Sequence, residues 1–349
     1  MKKIKLSVIP GDGVGKEIMP HALRVLDAAA DIHGGLRFEN VEYPWNSEYY
    51  LEHGEMMAPD GMERLRESDA VFLGAVGNPN LVPDHVTLWG LLIKIRREFE
   101  QSLNIRHAKS IKGIKSPITN PDGFDIIVVR ENSEGEYSEI GGTIHNGEDE
   151  IAVQNAVFTR KATERAMRYA FELAKTRKNK VTSATKSNGI VHSMPFWDRI
   201  FNEVANDYPE TEAASNHIDA LAAYFITRPS SFDVVVASNL FGDVLTDISA
   251  AIMGSIGIAP SANLNVNGKY PSMFEPVHGS APDIYGKGIA NPIGQIWTAK
   301  MMLDHFGETD LANLLMKAIE STIEEGITTP DLGGTSSTKE VADAIIERL

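Results

Sequence analysis

The tightest constraint on the fold is a repeating pattern. Short apolar runs end in glycine, asparagine or a charged residue, and segments with helical apolar spacing follow them. The first run, KIKLSVIP, leads through the turn GDGVG (11–15) into KEIMPHALRVLDAAADI, whose apolar residues recur every three to four positions. Strand, tight turn and helix make half of a βαβ unit. DAVFLGAVG and FDIIVVREN read as further buried strands, as do KVTSATKSN and FDVVVASNLFGD. Helical patterns lie between them, notably over 162–178 and from Pro195 to Asn206. Strands alternating with helices predict a largely parallel sheet covered on both faces, an α/β fold. Residues from Tyr137 to Asn155 have a different texture, polar alternation around glycine pairs, which predicts a hairpin arm or long loop outside the core.

The 349 residues leave room for two domains or one large α/β unit. A net charge of −15 argues against a nucleic-acid partner held on a general basic surface. No apolar run reaches the length of a membrane span, and MKKIKLSVIPGDGVG lacks the apolar core of a signal peptide, so a cytoplasmic protein is expected. Cysteine is absent, which excludes disulfides, thiolate nucleophiles and cysteine-based zinc sites.

Residues 239–251, NLFGDVLTDISAA, set Asp243 and Asp247 four apart among apolar and small neighbours. On a helix the two carboxylates share a face and repel by roughly 0.2–0.5 kcal/mol even when solvated. Partial burial would raise that cost steeply. A helix N-terminus accounts for Asp243 but poorly for Asp247, whereas a divalent cation bound through oxygen accounts for both.

GDGVG is a poor match to G-x-G-x-x-G: its third glycine falls one position early. No acidic residue ends a strand about twenty residues on, so a tight turn needing backbone freedom is the better reading. EPVHGSAPDIYGKGIANP (275–292) gathers Gly, Ser, His, Asp and three prolines into an irregular stretch. Backbone N–H groups in such a loop can meet phosphate or adenine, and an Asp can accept from ribose hydroxyls. The ends of parallel strands face the ligand crevice. Here they carry Arg130, followed by Tyr137, and Lys186, while Arg96 and Arg106 bracket the segment IRREFEQSLNIR. Clustered arginines suit carboxylate substrates.

Together, IPGDGVGKE, VRENSEGEY, TKSN, NLFGDVLTD and FEPVHGSAPDIYGKGIANP resemble one family across nearly the whole chain. It is that of the metal-dependent β-decarboxylating dehydrogenases, which act on isopropylmalate, isocitrate, homoisocitrate, tartrate and D-malate. WNSEYYLEHGEMM, PDHVTLWG and ATKSNGIVHSMPFWD look like its tartrate and D-malate branch. The resemblance implies a two-domain α/β fold that is not an ordinary Rossmann domain. Residues 1–101 plus 254–349 would form a large nucleotide-binding domain. Residues 102–253 would form a small dimerisation and metal-site domain, with an arm at about 138–157. A homodimer with shared active sites follows, Lys186 and Asp219 being lent to the neighbour.

Carried over by position, Arg96, Arg106 and Arg130 match the arginines that hold the substrate carboxylate. Asp219, Asp243 and Asp247 match the metal ligands, and Asp219 also belongs to the substrate site. Tyr137 and Lys186 match the catalytic pair. His278, Gly279, Ser280, Ala281, Pro282, Asp283 and Asn291 match the nucleotide loop. NADP-dependent relatives carry a basic residue where this chain has Asp283. A carboxylate there repels a 2′-phosphate, so NAD is expected. Mg²⁺ and Mn²⁺ both suit an all-oxygen site. Activation by K⁺ is a further implication of the resemblance.

For the substrate, isopropylmalate enzymes have an acidic residue where this chain has Trp89, and a branched residue where it has Gly189. Without that branched residue, an isopropyl group loses part of a burial energy of roughly 1.5–3 kcal/mol. LWGLLIKIR also lacks the Ser and Asn with which isocitrate enzymes hold a third carboxylate. A small C3 substituent fits, and the presence of Arg96 favours D-malate over tartrate, with 3-isopropylmalate third. The expected activity is NAD-dependent oxidative decarboxylation of D-malate to pyruvate and CO₂. One departure from the family pattern stands beside the site: His107 follows Arg106 where proline is usual. Two other classes fit less well. A non-catalytic regulatory subunit would have lost these residues, and an exported two-lobed binding protein would not need the metal aspartates.

Overall fold

The computed structural model describes residues 1–119 and 123–349. Among them the strands are β1 (Lys2–Gly11), β2 (Leu36–Glu42), β3 (Ala70–Ala75), β4 (Leu103–Lys109), β5 (Asp125–Glu131), β6 (Gly141–Ile144), β7 (Ile151–Gln154), β8 (Lys180–Thr185), β9 (Glu212–His217), β10 (Val234–Ala237), β11 (Pro260–Leu264) and β12 (Ser272–Pro276). The chain divides into two compact units, residues 1–101, 110–117 and 250–349, and residues 102–109 and 118–249.

In the first unit the strands run in the order β2-β1-β3-β12-β11, parallel except for β11 against β12. Every residue of β3 is buried, as a strand covered on both faces requires. The helix Val14–His33 lays Ile18, Met19, Ala22, Val25, Leu26 and Ala29 into the core, a stripe at helical spacing. It ends at Gly34 in the left-handed conformation, φ 68°, which returns the chain to β2.

GDGVG is a close-packed turn. A side chain at Gly11 or Gly13 would put Cβ 1.9 Å from the Ala75 carbonyl oxygen or 2.0 Å from that of Ser280, and both glycines have positive φ. Between them buried Asp12 accepts from the backbone N–H groups of Ser47 and Gly77, each at 2.9 Å. The Val14 N–H donates to the Ser280 carbonyl at 2.8 Å, so the turn braces the loop after β12.

In the second unit the order is β4-β5-β10-β8-β9, parallel except for β4 against β5. The wholly buried VVVA of β10 forms the centre. The helix Arg160–Lys175 starts where the Thr159 hydroxyl accepts from the Ala162 N–H at 3.3 Å. Its Ala162, Ala166, Met167, Ala170, Phe171 and Ala174 form the buried face. Trp197, on the helix Ser193–Ala205, is fully buried and donates from its indole to Ser183 Oγ at 2.9 Å. Among the described residues strands β6 and β7 pair only with each other, and Ile144, Ile151 and Val153 stand exposed on them. Three parallel strands end together at the site: β5 near Arg130, β8 just before Lys186, and β10 two residues before the helix Asn239–Met253. No helix among the described residues is long and apolar enough to cross a membrane.

Candidate active site

In the second unit, antiparallel pairing sets Asn104 of β4 opposite Arg130 of β5, and Arg106 lies two residues further along β4. The helix 239–253 follows β10 directly, so its first turns pass over Arg130, which pairs in register with Ala237. Gly242 permits the approach, since a Cβ there would lie 2.7 Å from both Cβ and Cγ of Arg130.

Arg130 is 4% exposed in its side chain. Its Nε donates to Asn239 Oδ1 at 2.9 Å and its Nη1 to Asp243 Oδ1. Arg106 donates from Nε to Asn104 Oδ1 at 2.8 Å and from Nη1 to Thr246 Oγ1 at 2.6 Å. Its guanidinium also lies 3.4 Å from Asp243 and 3.7 Å from Asp247. The Tyr137 hydroxyl donates to Asp243 Oδ2 at 2.7 Å, and its ring lies under the Arg130 guanidinium, 5.4 Å from centroid to Cζ. Burial, the bond to Asp243 and that carboxylate's charge raise the Tyr137 pKa, against the opposing pull of Arg130 and Arg106.

The counter-charge to Asp243 and Asp247 thus lies within the chain, in two guanidinium groups. The expectation of burial holds only in part, because the Asp247 side chain is 67% exposed and meets Arg106 at the edge of the cluster. His107 leaves Arg106 well held, for its own ring turns to Asp125 at 2.7 Å.

Lys186, one residue past β8, meets Asp219 at 2.9 Å. Asp219 is exposed in the first turn of the helix Ile218–Thr227. The hydrogen bond from Lys186 depresses its pKa, helped by backbone N–H groups at the helix start. Among the described residues no three His, Cys, Asp or Glu side chains gather as a metal-holding group. The donor chemistry nevertheless suits a hard divalent cation: Asp243 and Asp247 offer carboxylate oxygens one helical turn apart. Asp219 stands outside that pair within one chain. Gly189 is open, and the atoms nearest to a Cβ there belong to Lys186, at 3.9 Å.

In the first unit Arg96 donates from Nη2 to Glu275 Oε1 at 2.6 Å, and Asn263 Nδ2 donates to the same oxygen at 2.7 Å. The Arg96 Nε is buried with no hydrogen-bond partner among the described residues. Trp89 stacks under the Arg97 guanidinium at 4.5 Å.

A cavity of about 560 Å³ opens in the same unit, within the range of cofactor pockets. His278, Gly279, Ala281 and Asn291 line it with Val14, Ile284 and Asp331. Of the remaining loop candidates, Ser280 faces inward and donates to the Gly77 carbonyl, while Pro282 and Asp283 are exposed beyond the lining. Asp331 was not legible as a site residue; it accepts from Ser255 Oγ at 2.5 Å and Asn291 Nδ2 at 3.0 Å. His278 keeps a buried Nε2 with no partner among the described residues, and burial lowers its pKa. A neutral imidazole with an unspent nitrogen on an apolar cavity wall fits a nucleotide base.

The sequence profile of the isocitrate/isopropylmalate dehydrogenase family matches residues 5–345. A Bacillus subtilis protein named "Probable tartrate dehydrogenase/decarboxylase" is 65% identical over 349 residues, covering 100% of this chain and 99% of its own. The D-malate dehydrogenase (decarboxylating) of Escherichia coli is 52% identical over 355 residues, covering 99% and 98%. Among solved structures, an isocitrate dehydrogenase from Methylococcus capsulatus matches with a TM-score of 0.87 at 33% identity, covering 99% of each chain.

Proposed function

Because the chain belongs to the isocitrate/isopropylmalate dehydrogenase family, we propose that it carries out the NAD-dependent oxidative decarboxylation of D-malate to pyruvate and CO₂. It is an oxidoreductase of the decarboxylating dehydrogenase class. The observation that carries the finer reading is the convergence of Arg106, Arg130 and the Tyr137 hydroxyl on Asp243. Two guanidinium groups suit a dicarboxylate, and a phenol beside them can give a proton to carbon.

When bound, a divalent cation makes the 2-hydroxyl more acidic and stabilises enolate charge, while a nicotinamide accepts the hydride from C2. Asp243 and Asp247, with Asp219 of a second copy, would hold the cation. Arg96, Arg106 and Arg130 bind and orient the carboxylates. Lys186 Nζ of that second copy, in its neutral form, takes the 2-hydroxyl proton as hydride leaves C2, giving a β-keto acid. After CO₂ departs, the Tyr137 hydroxyl delivers a proton to C3 and pyruvate results.

The dinucleotide occupies the cavity beside His278 and Asn291. Exposed Asp283 at its margin disfavours a 2′-phosphate, which supports NAD over NADP. Exposed Ile140, Ile144, Ile151 and Val153 on the β6–β7 arm support a homodimer in which a second copy covers them.

A second reading, a tartrate dehydrogenase/decarboxylase, is favoured by the name of the 65% identical relative. NADH absorbance with Mg²⁺ or Mn²⁺ against D-malate, L-tartrate, meso-tartrate and 3-isopropylmalate tests both. The highest kcat/KM with D-malate supports the first reading, and with a tartrate the second. No NADH from any of the four would overturn both.

A further inference from the structure

We propose that Asn239 is a positioning residue that couples the substrate arginine Arg130 to the loop bearing the proton donor Tyr137, an inference that rests on the functional reading above. Asn239 is 3% exposed and stands at the first position of the helix 239–253. Its Oδ1 accepts from Arg130 Nε at 2.9 Å, and its Nδ2 donates to the Glu134 carbonyl at 2.9 Å. Only one orientation of the amide satisfies both bonds, because Arg offers only donors and a carbonyl only accepts. Aspartate would keep the first bond and lose the second. Alanine would lose both.

The geometry explains why an uncharged group is used. Asn239 and Asp243 lie one turn apart on the same helix face and hold the same guanidinium, through Nε and Nη1 respectively. Asp243 is also a proposed cation ligand, so its charge is shared among partners. The Asn239 amide has no such second use and keeps Arg130 in place whatever Asp243 does.

The other end of the amide fixes a loop that is anchored at several points. Buried Glu131 accepts from the N–H groups of Ser133 at 3.0 Å and Glu134 at 2.9 Å. The Glu134 carboxylate accepts from the Thr159 N–H and hydroxyl, each at 2.6 Å. Gly135, at φ 78°, exchanges backbone hydrogen bonds with Val157 and packs against Asn239, where a Cβ would lie 3.4 Å away. Asn239 joins this loop at Glu134 to the helix carrying Asp243, to which the Tyr137 hydroxyl also reaches back. Acid binding at Arg130 and proton delivery from Tyr137 are thereby held in one register.

The test compares wild type, Asn239→Asp and Asn239→Ala in the full chain. Calorimetry with D-malate and Mg²⁺, without nucleotide, reads the arginine arm, and amide hydrogen exchange of residues 132–137 reads the loop arm. In Asn239→Ala the Kd should rise at least about tenfold, as loss of a charged hydrogen bond implies. In Asn239→Asp the Kd should rise as well, because a second carboxylate on Arg130 competes with the acid. Exchange should quicken in the 132–137 segment of both variants and not elsewhere. In turnover both variants should raise KM and, through the loosened loop, lower kcat about tenfold. Unchanged exchange in 132–137, or exchange faster throughout the second unit, would overturn the inference by leaving Asn239 idle or merely structural. A wild type that forms no NADH from any 2-hydroxy acid would defeat the functional reading instead, and the exchange pattern would still decide the role of Asn239.

Discussion

Gly242→Ala separates a glycine needed for close approach from one that merely tolerates its helix. In an exposed helix interior, alanine is better than glycine by about 0.8–1.0 kcal/mol. Here the added Cβ would lie 2.7 Å from Cβ and Cγ of Arg130 and 3.3 Å from its Cα. These atoms are at the root of the side chain, and its tip is fixed by Asn239 and Asp243, so the arginine cannot simply swing aside. If the clash is kept, overpacking costs about 1–3 kcal/mol. If it is relieved by giving up a bond to the guanidinium, the loss is about 1.5–3 kcal/mol. Set against the helical gain, either route gives a net destabilisation of up to about 2 kcal/mol, where an ordinary helical glycine would give stabilisation of about 1. Urea unfolding followed by circular dichroism should show a lower midpoint at unchanged slope. Calorimetry should show D-malate binding at least about tenfold weaker, the factor that goes with about 1.4 kcal/mol. A variant more stable than wild type with unchanged affinity would refute the reasoning.

Lys186→Ala should leave cation binding by calorimetry largely intact while abolishing NADH formation; retained turnover would remove Lys186 as the base. Asp247→Asn should raise the Mn²⁺ concentration needed for half-maximal rate at least about tenfold with the KM for NAD unchanged. An unaltered metal requirement would reduce Asp247 to a surface partner of Arg106. Acid should weaken the fold, because burial pushes the pKa values of His278, His305 and His21 below the ordinary 6.5. Their contribution is present above pH 6.5 and is lost as pH falls through the folded-state values, where the unfolded chain binds more protons. The urea midpoint should therefore drop between pH 7.5 and 5.5, and a rise over that interval would contradict the burial argument.

What could be read from the sequence followed from burial. AVFLGA, IIVV and VVVA announced themselves as strands because helices cover both faces and every position must be apolar or small. β2 and β9 are not legible because each stands at one end of its unit's strand order, where LRFENVE and EAASNH need no continuous apolar face. β11 and β12 were hidden for the opposite reason. They are wholly buried yet carry Ser261, Asn263, Ser272 and Glu275, whose polarity is satisfied by bonds such as Asn263 to Glu275. In the site, charged residues at strand ends and at helical spacing stood out. Their neutral partners Asn104, Thr246 and Asn239 did not, since nothing local marks an amide or hydroxyl that will meet an arginine far away in sequence.

The pairing of Asp243 with arginines has an energetic consequence for binding. A cation that draws on the Asp243 carboxylate must compete with Arg106, Arg130 and the Tyr137 hydroxyl. Taken alone, that exchange leaves a guanidinium only 4% exposed short of its counter-charge, which is costly even though the Asp243 side chain is itself 33% exposed. A dicarboxylate arriving alone faces the converse difficulty, since the arginines it needs are already neutralised by Asp243. When both arrive, the acid supplies the anion that the arginines lose and the cation takes up the carboxylate charge, so each event removes part of the other's cost. Coupling of this kind is commonly 1–3 kcal/mol, or about 5–150-fold in affinity, and it must be reciprocal. Calorimetric titration of D-malate with and without Mn²⁺, and of Mn²⁺ with and without D-malate, should give the same factor within that range. Asp243→Asn should shrink it, because the arginines then start without that counter-charge. Independent binding of cation and acid in the wild type would mean that these ion pairs do not have to open, and the exchange argument would fall.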